Sequence, residues 1–237
     1  MTRDEILAQR VANIDSVPDR FVRRVSASQG EIFAELLELL STLETTPDGR
    51  LIMNSRSIYD VEVLFGEYLQ RLRQGRYGSL VSGFLSAMDA QRTLIADYAA
   101  ISYNGVVSAM TEAVYESARQ TAVRQLLGDD FKTGFINVIR DQVMASVEVN
   151  ATFSEMVEGL RASFTNGDVL GQIVNWTNQV ASDRFAIADR SYAQAVDEEN
   201  GIVFGTYFGG LIKDSRDFCV ERAGKVFHRN EVQSWAS

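Results

Sequence analysis

Apolar residues recur at helical spacing through most of this chain. Ile32, Phe33, Leu36, Leu37, Leu39, Leu40 and Leu43 form one wide face. Ser28-Gln29-Gly30-Glu31 ahead of them has capping-box spacing, and Pro47-Asp48-Gly49 behind them is turn chemistry, so the pattern predicts a helix that stops near Thr45. A second helix is predicted from about Ser55 to Gln74 on Ile58, Val61, Leu64, Phe65, Tyr68, Leu69 and Leu72, with breaks at Gly75 and Gly78. Further helical runs follow over Leu80–Ala100, over Val106–Leu127 after Asn104-Gly105, and over Phe131–Val149 after Gly128-Asp129-Asp130.

Thr152-Phe153-Ser154-Glu155 is a second capping box and opens a short helix, closed by Asn166-Gly167. A long helix follows from about Asp168, carrying Ile173, Trp176, Val180, Phe185, Ile187, Tyr192 and Val196. It ends in Asp197-Glu198-Glu199-Asn200-Gly201. Carboxylates are unfavourable at the negative end of a helix, so this run is expected in solvent. Then the period changes. Ile202 to Phe208 is β-branched and aromatic, Gly209-Gly210 can turn it, and Lys225-Val226-Phe227 can supply a partner strand. The expected fold is therefore mainly α, a multi-helix bundle with a small C-terminal β-ribbon and turn module. Residues 1–150 form a helical region suited to subunit interaction, and residues 151–237 the terminal module.

Composition narrows the function classes. Pro18 and Pro47 are the two prolines, so nothing after Asp48 forbids helix on that ground. The 237 residues are 46% hydrophobic, enough for a sizeable core. A formal charge of −9 repels phosphate backbones and argues against direct nucleic-acid binding. The basic group Arg71, Arg73 and Arg76 reads as a helix C-terminus meeting the macrodipole. One cysteine excludes an internal disulfide framework, no signal-peptide pattern opens the chain, and no run has the roughly 20 apolar residues of a membrane span; the expectation is a soluble product of the cytoplasm.

The single cysteine, Cys219, and the single histidine, His228, both fall in the last thirty residues. A thiolate nucleophile activated by His228 and Arg216 is one reading, and a buried cysteine packed beside Phe218 is the bland one. A closed zinc site needs about four ligands. Cys219 and His228 give two, so they are weak metal candidates, and no metal or other cofactor is expected. Asp129-Asp130 and Glu198-Glu199 are sequence neighbours, which on a helix face different ways. Arg216, after the Asp214-Ser215 turn, suits a structural clamp onto carbonyls or a carboxylate, with an inter-subunit contact as the alternative.

Tyr207-x-Gly209, Ser215-Arg216-x-Phe218-Cys219, Gly224-Lys225-Val226-Phe227, Glu231 and Trp235 occur in that order. This arrangement resembles the C-terminal module of phage head morphogenesis, or minor head, proteins, the relatives of the minor head protein of Mu-like phages. The resemblance covers about residues 150–237. It implies a structural virion component of a tailed bacteriophage that is made in the host cytoplasm and is not an enzyme. It would act at or near the portal or capsid by contacts with portal, capsid or connector subunits, and be oligomeric in the particle. Relatives carry Thr or Ser where this chain has His228, which suggests a helix N-cap with Glu231 as its reciprocal partner. Relatives also continue into a Cys-Arg-His segment that this sequence lacks, so no metal site completed by it is expected. The alternatives are a Cys/His-based enzyme and a host-side helical adaptor protein.

Overall fold

The structure, a computed structural model, describes residues 1–165, 171–206, 221–222 and 225–234. The helices are α1 (Arg3–Ala27), α2 (Gln29–Leu40), α3 (Ser55–Gln74), α4 (Arg76–Tyr103), α5 (Ala109–Leu127), the single turn α6 (Asp129–Phe131), α7 (Asn137–Glu148), α8 (Phe153–Thr165), α9 (Gln172–Glu199) and α10 (Arg229–Ser234). A π-helical turn, Lys132–Ile136, joins α6 to α7. Strands β1 (Phe204–Thr206) and β2 (Val226–His228) pair antiparallel, Phe204 opposite His228 and Thr206 opposite Val226. A mainly α bundle with a small ribbon is what the hydrophobic pattern predicts.

Several helix ends have a local cause. Thr2 and Glu5 make a reciprocal capping box at α1, with Thr2 N donating to Glu5 Oε2 at 2.7 Å and Glu5 N to Thr2 Oγ1 at 3.3 Å. The predicted box at Thr152 forms in the same way. Asn54 caps α3 by accepting from Ser57 N at 2.8 Å. Asn104 ends α4 in the left-handed conformation, φ 52°.

Three expectations are corrected here. The Ser28 box does not form: Ser28 follows α1 directly, has φ −97° and ψ 0°, and gives its N–H to the carbonyls of Arg24 and Val25. Its hydroxyl faces Arg76 Nε at 3.4 Å. The helix bearing the leucine face stops at Leu40 and not near Thr45, because Thr45 bridges to Leu51 and the turn between them folds back. That turn clasps the start of α8, with Phe153 N donating to Gly49 O at 2.9 Å. The acidic run at the end of α9 is engaged with other elements, as described below.

The leucine face is spent inside the chain. Ile32, Phe33, Leu36 and Leu40 are buried, Leu37 and Leu43 lie half-buried against them, and α3 and α8 are the covering helices. Tyr68 Oη of α3 donates to Ile32 O at 3.1 Å, and the Phe33 and Phe164 rings lie 4.9 Å apart. This face, expected to be buried against a helix of the same chain or of another subunit, is thus not left exposed but is covered by helices of the same chain. Nor does the core divide at residue 150. One buried cluster runs from Val17 to Val196, and α9 packs on α1, α4 and α5 together.

The π turn sits where α9 crosses. A side chain at Gly134 would fall on the six-membered ring of Trp176, whose Nε1 donates to Gln125 O at 2.9 Å. Gly134→Ala is expected to cost about 1–3 kcal/mol through forced movement of the indole, more than the usual gain of alanine in a helix. A urea titration showing unchanged or increased stability would contradict this.

Candidate functional site

The ribbon carries those residues of the terminal motif that the structure describes. Lys225 precedes β2 and is exposed, and its N–H donates to Arg222 O at 3.0 Å. His228 ends β2 and precedes α10, and its Nδ1 accepts from Asn230 N at 3.2 Å. That is the N-cap position, with an imidazole nitrogen where a hydroxyl oxygen commonly serves. Glu231 lies in the first turn of α10. Phe204 meets the His228 ring edge-on at 5.1 Å. Tyr207, Gly209, Arg216, Phe218, Cys219, Gly224 and Trp235 lie outside the described residues, as does the Asn166-Gly167 stop.

Arg229 is the clamp that the sequence does not single out. Its N–H donates to Val203 O at 2.8 Å, its Nη2 to Ile202 O at 3.0 Å, and its Nη1 stands 3.4 Å from Glu198 Oε1. One residue thus ties β2, the segment before β1, and the end of α9. An arginine immediately after a strand was the available signal. His228→Thr should leave the melting temperature nearly unchanged, since a threonine Oγ can take over the cap. A drop of several degrees would show that the imidazole does more.

The acidic end of α9 is bound to the loop before α5. Glu199 accepts from Ser108 N at 3.0 Å and from Thr111 Oγ1 at 2.7 Å, at the positive end of α5. Asn200 pairs its amide with Val106, accepting from the N–H at 2.9 Å and donating to the carbonyl at 2.8 Å. Tyr103 Oη donates to Asp197 Oδ1 at 2.9 Å. The backbone and hydroxyl donors hold the Glu199 carboxyl below its usual range, whereas burial pushes Asp197 above its own. The sign follows from proton counting. For Glu199, and for Glu5 and Glu155, lowered chiefly by the N–H of their capping threonines, the unfolded chain binds protons first as pH falls. Their stabilisation is present above about pH 4.5, the ordinary glutamate value, and is lost as pH falls through the depressed folded values. Asp197 acts oppositely. Glu199→Gln should lower stability at pH 7 and make the acid limb shallower, measured by urea unfolding at several pH values; an unchanged limb would contradict the assignment.

Two polar braces, the first centred on a buried carboxylate and the second half-exposed, join α9 to its neighbours. In the first, Arg10 of α1 forks onto Asp189 of α9, Nε to Oδ1 at 3.0 Å and Nη2 to Oδ2 at 2.9 Å. Gln91 of α4 donates to the same Oδ1 at 2.8 Å and to Arg10 O at 3.1 Å, and accepts from Asn13 Nδ2 at 3.0 Å. In the second, Arg92 Nη1 and Tyr192 Oη both donate to Glu112, at 2.6 and 2.7 Å. Tyr115 Oη and Arg119 Nε both donate to Asp89, at 2.6 and 3.0 Å. Burial first, and then the carboxylate neighbours, push the Tyr115 and Tyr192 phenols well above their usual range.

Every carboxylate in these clusters receives donors from neighbouring helices, so the arrangement braces helices, while Arg92 Nε is buried without a partner among the described residues. The enclosed space beside it, bordered by Met88, Arg92, Tyr115 and Tyr192, is about 10 Å³, the size of one water at most. Among the described residues no group of three or more His, Cys, Asp or Glu could hold a metal ion, and no helix is long and apolar enough to cross a membrane. Of the basic group, Arg71 and Arg73 lie in the last turn of α3 and Arg76 opens α4. Arg71 pairs with Glu38 and Glu67, and Arg73 Nε donates to Leu127 O. Comparison with protein-family models, curated proteins and solved structures finds no match to this chain.

Proposed function

We propose that this protein is a structural virion component of a tailed bacteriophage, a minor head protein that acts in head assembly by contacts with portal, capsid or connector subunits. The observation that carries the reading is the order and spacing of Tyr207-x-Gly209, Ser215-Arg216-x-Phe218-Cys219, Gly224-Lys225-Val226-Phe227, Glu231 and Trp235. Support comes from the ribbon: β2 holds Val226-Phe227 and leads through the capping His228 into α10 with Glu231, a compact end fastened to the bundle by Arg229. The polar clusters within the bundle are likewise braces, which suits a binding role.

The test is mass spectrometry of purified particles, counting copies per capsid. A fixed number of copies is expected in particles, and absence from them would refute the proposal and favour a host-side adaptor. In the same assay Cys219→Ala and His228→Thr should both leave incorporation intact. Loss of function in both would favour the Cys/His enzyme instead.

A further inference from the structure

The two polar braces meet at the small space between α4, α5 and α9, and their hydrogen bonds do not quite close there. Asp189 Oδ1 receives two donors, Arg10 Nε and Gln91 Nε2, whereas Oδ2 receives one, Arg10 Nη2. A carboxylate oxygen can accept two, so Oδ2 has room for one more. Asp189 is 4% exposed, and bulk water cannot readily supply that donor. Arg92 has the opposite shortage. Its Nη1 donates to Glu112, but its Nε is buried and has no partner among the described residues. A buried donor left unpaired has lost its hydration without compensation, which native interiors seldom tolerate.

Arg92 and Asp189 border the same space of about 10 Å³. That is close to the smallest volume that holds a water, on the order of 10–15 Å³. Met88 and Phe185 close it with apolar surface, and Tyr115 and Tyr192 complete the wall. Both phenols already donate, to Asp89 and Glu112, so their oxygens have only acceptor capacity left. A space of this size lined by apolar groups alone stays dry, whereas a water is held where two to four polar partners face it. Here an unpaired donor and an unsaturated acceptor stand on one wall-sharing pair of residues.

We propose that this space is a binding site for one structural water, which accepts from Arg92 Nε and donates to Asp189 Oδ2. The molecule joins the Arg10–Gln91–Asp189 group to the Arg92–Glu112–Tyr192 group, so that one hydrogen-bonded network runs across α1, α4, α5 and α9. An ion suits the space less. Arg10 and Arg92 repel a cation, and a halide would exceed the volume and face the Asp189 carboxylate. The site lies inside the bundle and does not depend on the virion reading.

A high-resolution crystal structure of the full chain is the first test. A fully occupied water is expected within about 3.2 Å of both Arg92 Nε and an Asp189 carboxylate oxygen. An empty space, a space closed by moved side chains, or a water that reaches only one of the two residues overturns the proposal. So does an ion in its place. The second test is made in solution, by cross-relaxation between water and the Met88 methyl group at the edge of the space. A peak with the sign of a long-lived bound water is expected in the natural chain. It should be lost in Ala188→Val, whose added methyl groups take up the space that Ala188 borders. A peak missing from the natural chain overturns the proposal. A peak that survives in Ala188→Val does so too, because it would then be relayed from the Tyr115 or Tyr192 hydroxyl. Should valine disturb the fold, the crystal structure of the natural chain still decides.

Discussion

Asp189→Ala lowers the free energy of unfolding by about 3–5 kcal/mol, the range for removing one partner of a buried ion pair. Asp189 is 4% exposed and its carboxylate receives both arms of Arg10 and the Gln91 amide. Alanine leaves a mostly enclosed guanidinium without its counter-charge, and that orphaned group causes the loss. The pair itself need add little. Replacing Arg10, Gln91 and Asp189 together by methionine, leucine and leucine should accordingly recover most of the stability. Urea unfolding of the single and triple variants measures both. A single-variant loss below about 1 kcal/mol would mean that water reaches Arg10 as in an exposed pair.

Phe135→Ala should be comparably severe, about 3–5 kcal/mol. Phe135 sits in the middle of a run of rings joining four parts of the bundle. Tyr77 stacks on Phe131 at 5.1 Å, Phe131 on Phe135 at 5.2 Å, Phe135 meets Phe164 edge-on at 5.8 Å, and Phe164 tilts on Phe33 at 4.9 Å. Alanine opens a cavity and ends two ring contacts at once, whereas leucine keeps most of the volume. In a chain of this size the loss corresponds to a fall of about 6–20 °C in melting temperature. Phe135→Leu should fall much less. Equal effects of the two substitutions would show that ring contact, and not filled volume, sets the stability.

Helix bounds set by chemistry within three or four residues were legible in the sequence. The Ser55–Gln74 helix is delimited by Asn54 and Gly75, the Thr152 box forms as written, and the change of period at Ile202 marks the ribbon. What was not legible depended on groups distant in sequence. Ser28 has the spacing of a cap, yet its N–H already belongs to the preceding helix, whose presence the pattern did not announce because Pro18 stands inside it. The acidic end of α9 looked like a run for solvent because the positive start of α5, about 90 residues earlier, cannot be read from local order. Of the candidate site, His228 stands at a cap as the resemblance suggested, and Arg229, which the sequence did not single out, ties the ribbon to the end of α9, while Arg216 lies outside the described residues. Asp189 and Gln91 gave no local signal beyond a polar residue on an apolar face.

The long reach between Arg10 and Asp189, 179 residues, has a consequence for how the protein is made. At a translation speed of about 5–20 residues per second, α1 leaves the ribosome about 10–35 s before its counter-charge exists. During that interval Val17, Phe21 and Val25 have no complete core to enter, because α9 supplies part of it. The nascent chain therefore offers an apolar, arginine-bearing helix to whatever is nearby, a natural station for a chaperone. A fragment ending before residue 172 should not acquire cooperative unfolding, however helical it is. Closure of the bundle waits for α9, the element that turns a set of tethered helices into one folding unit.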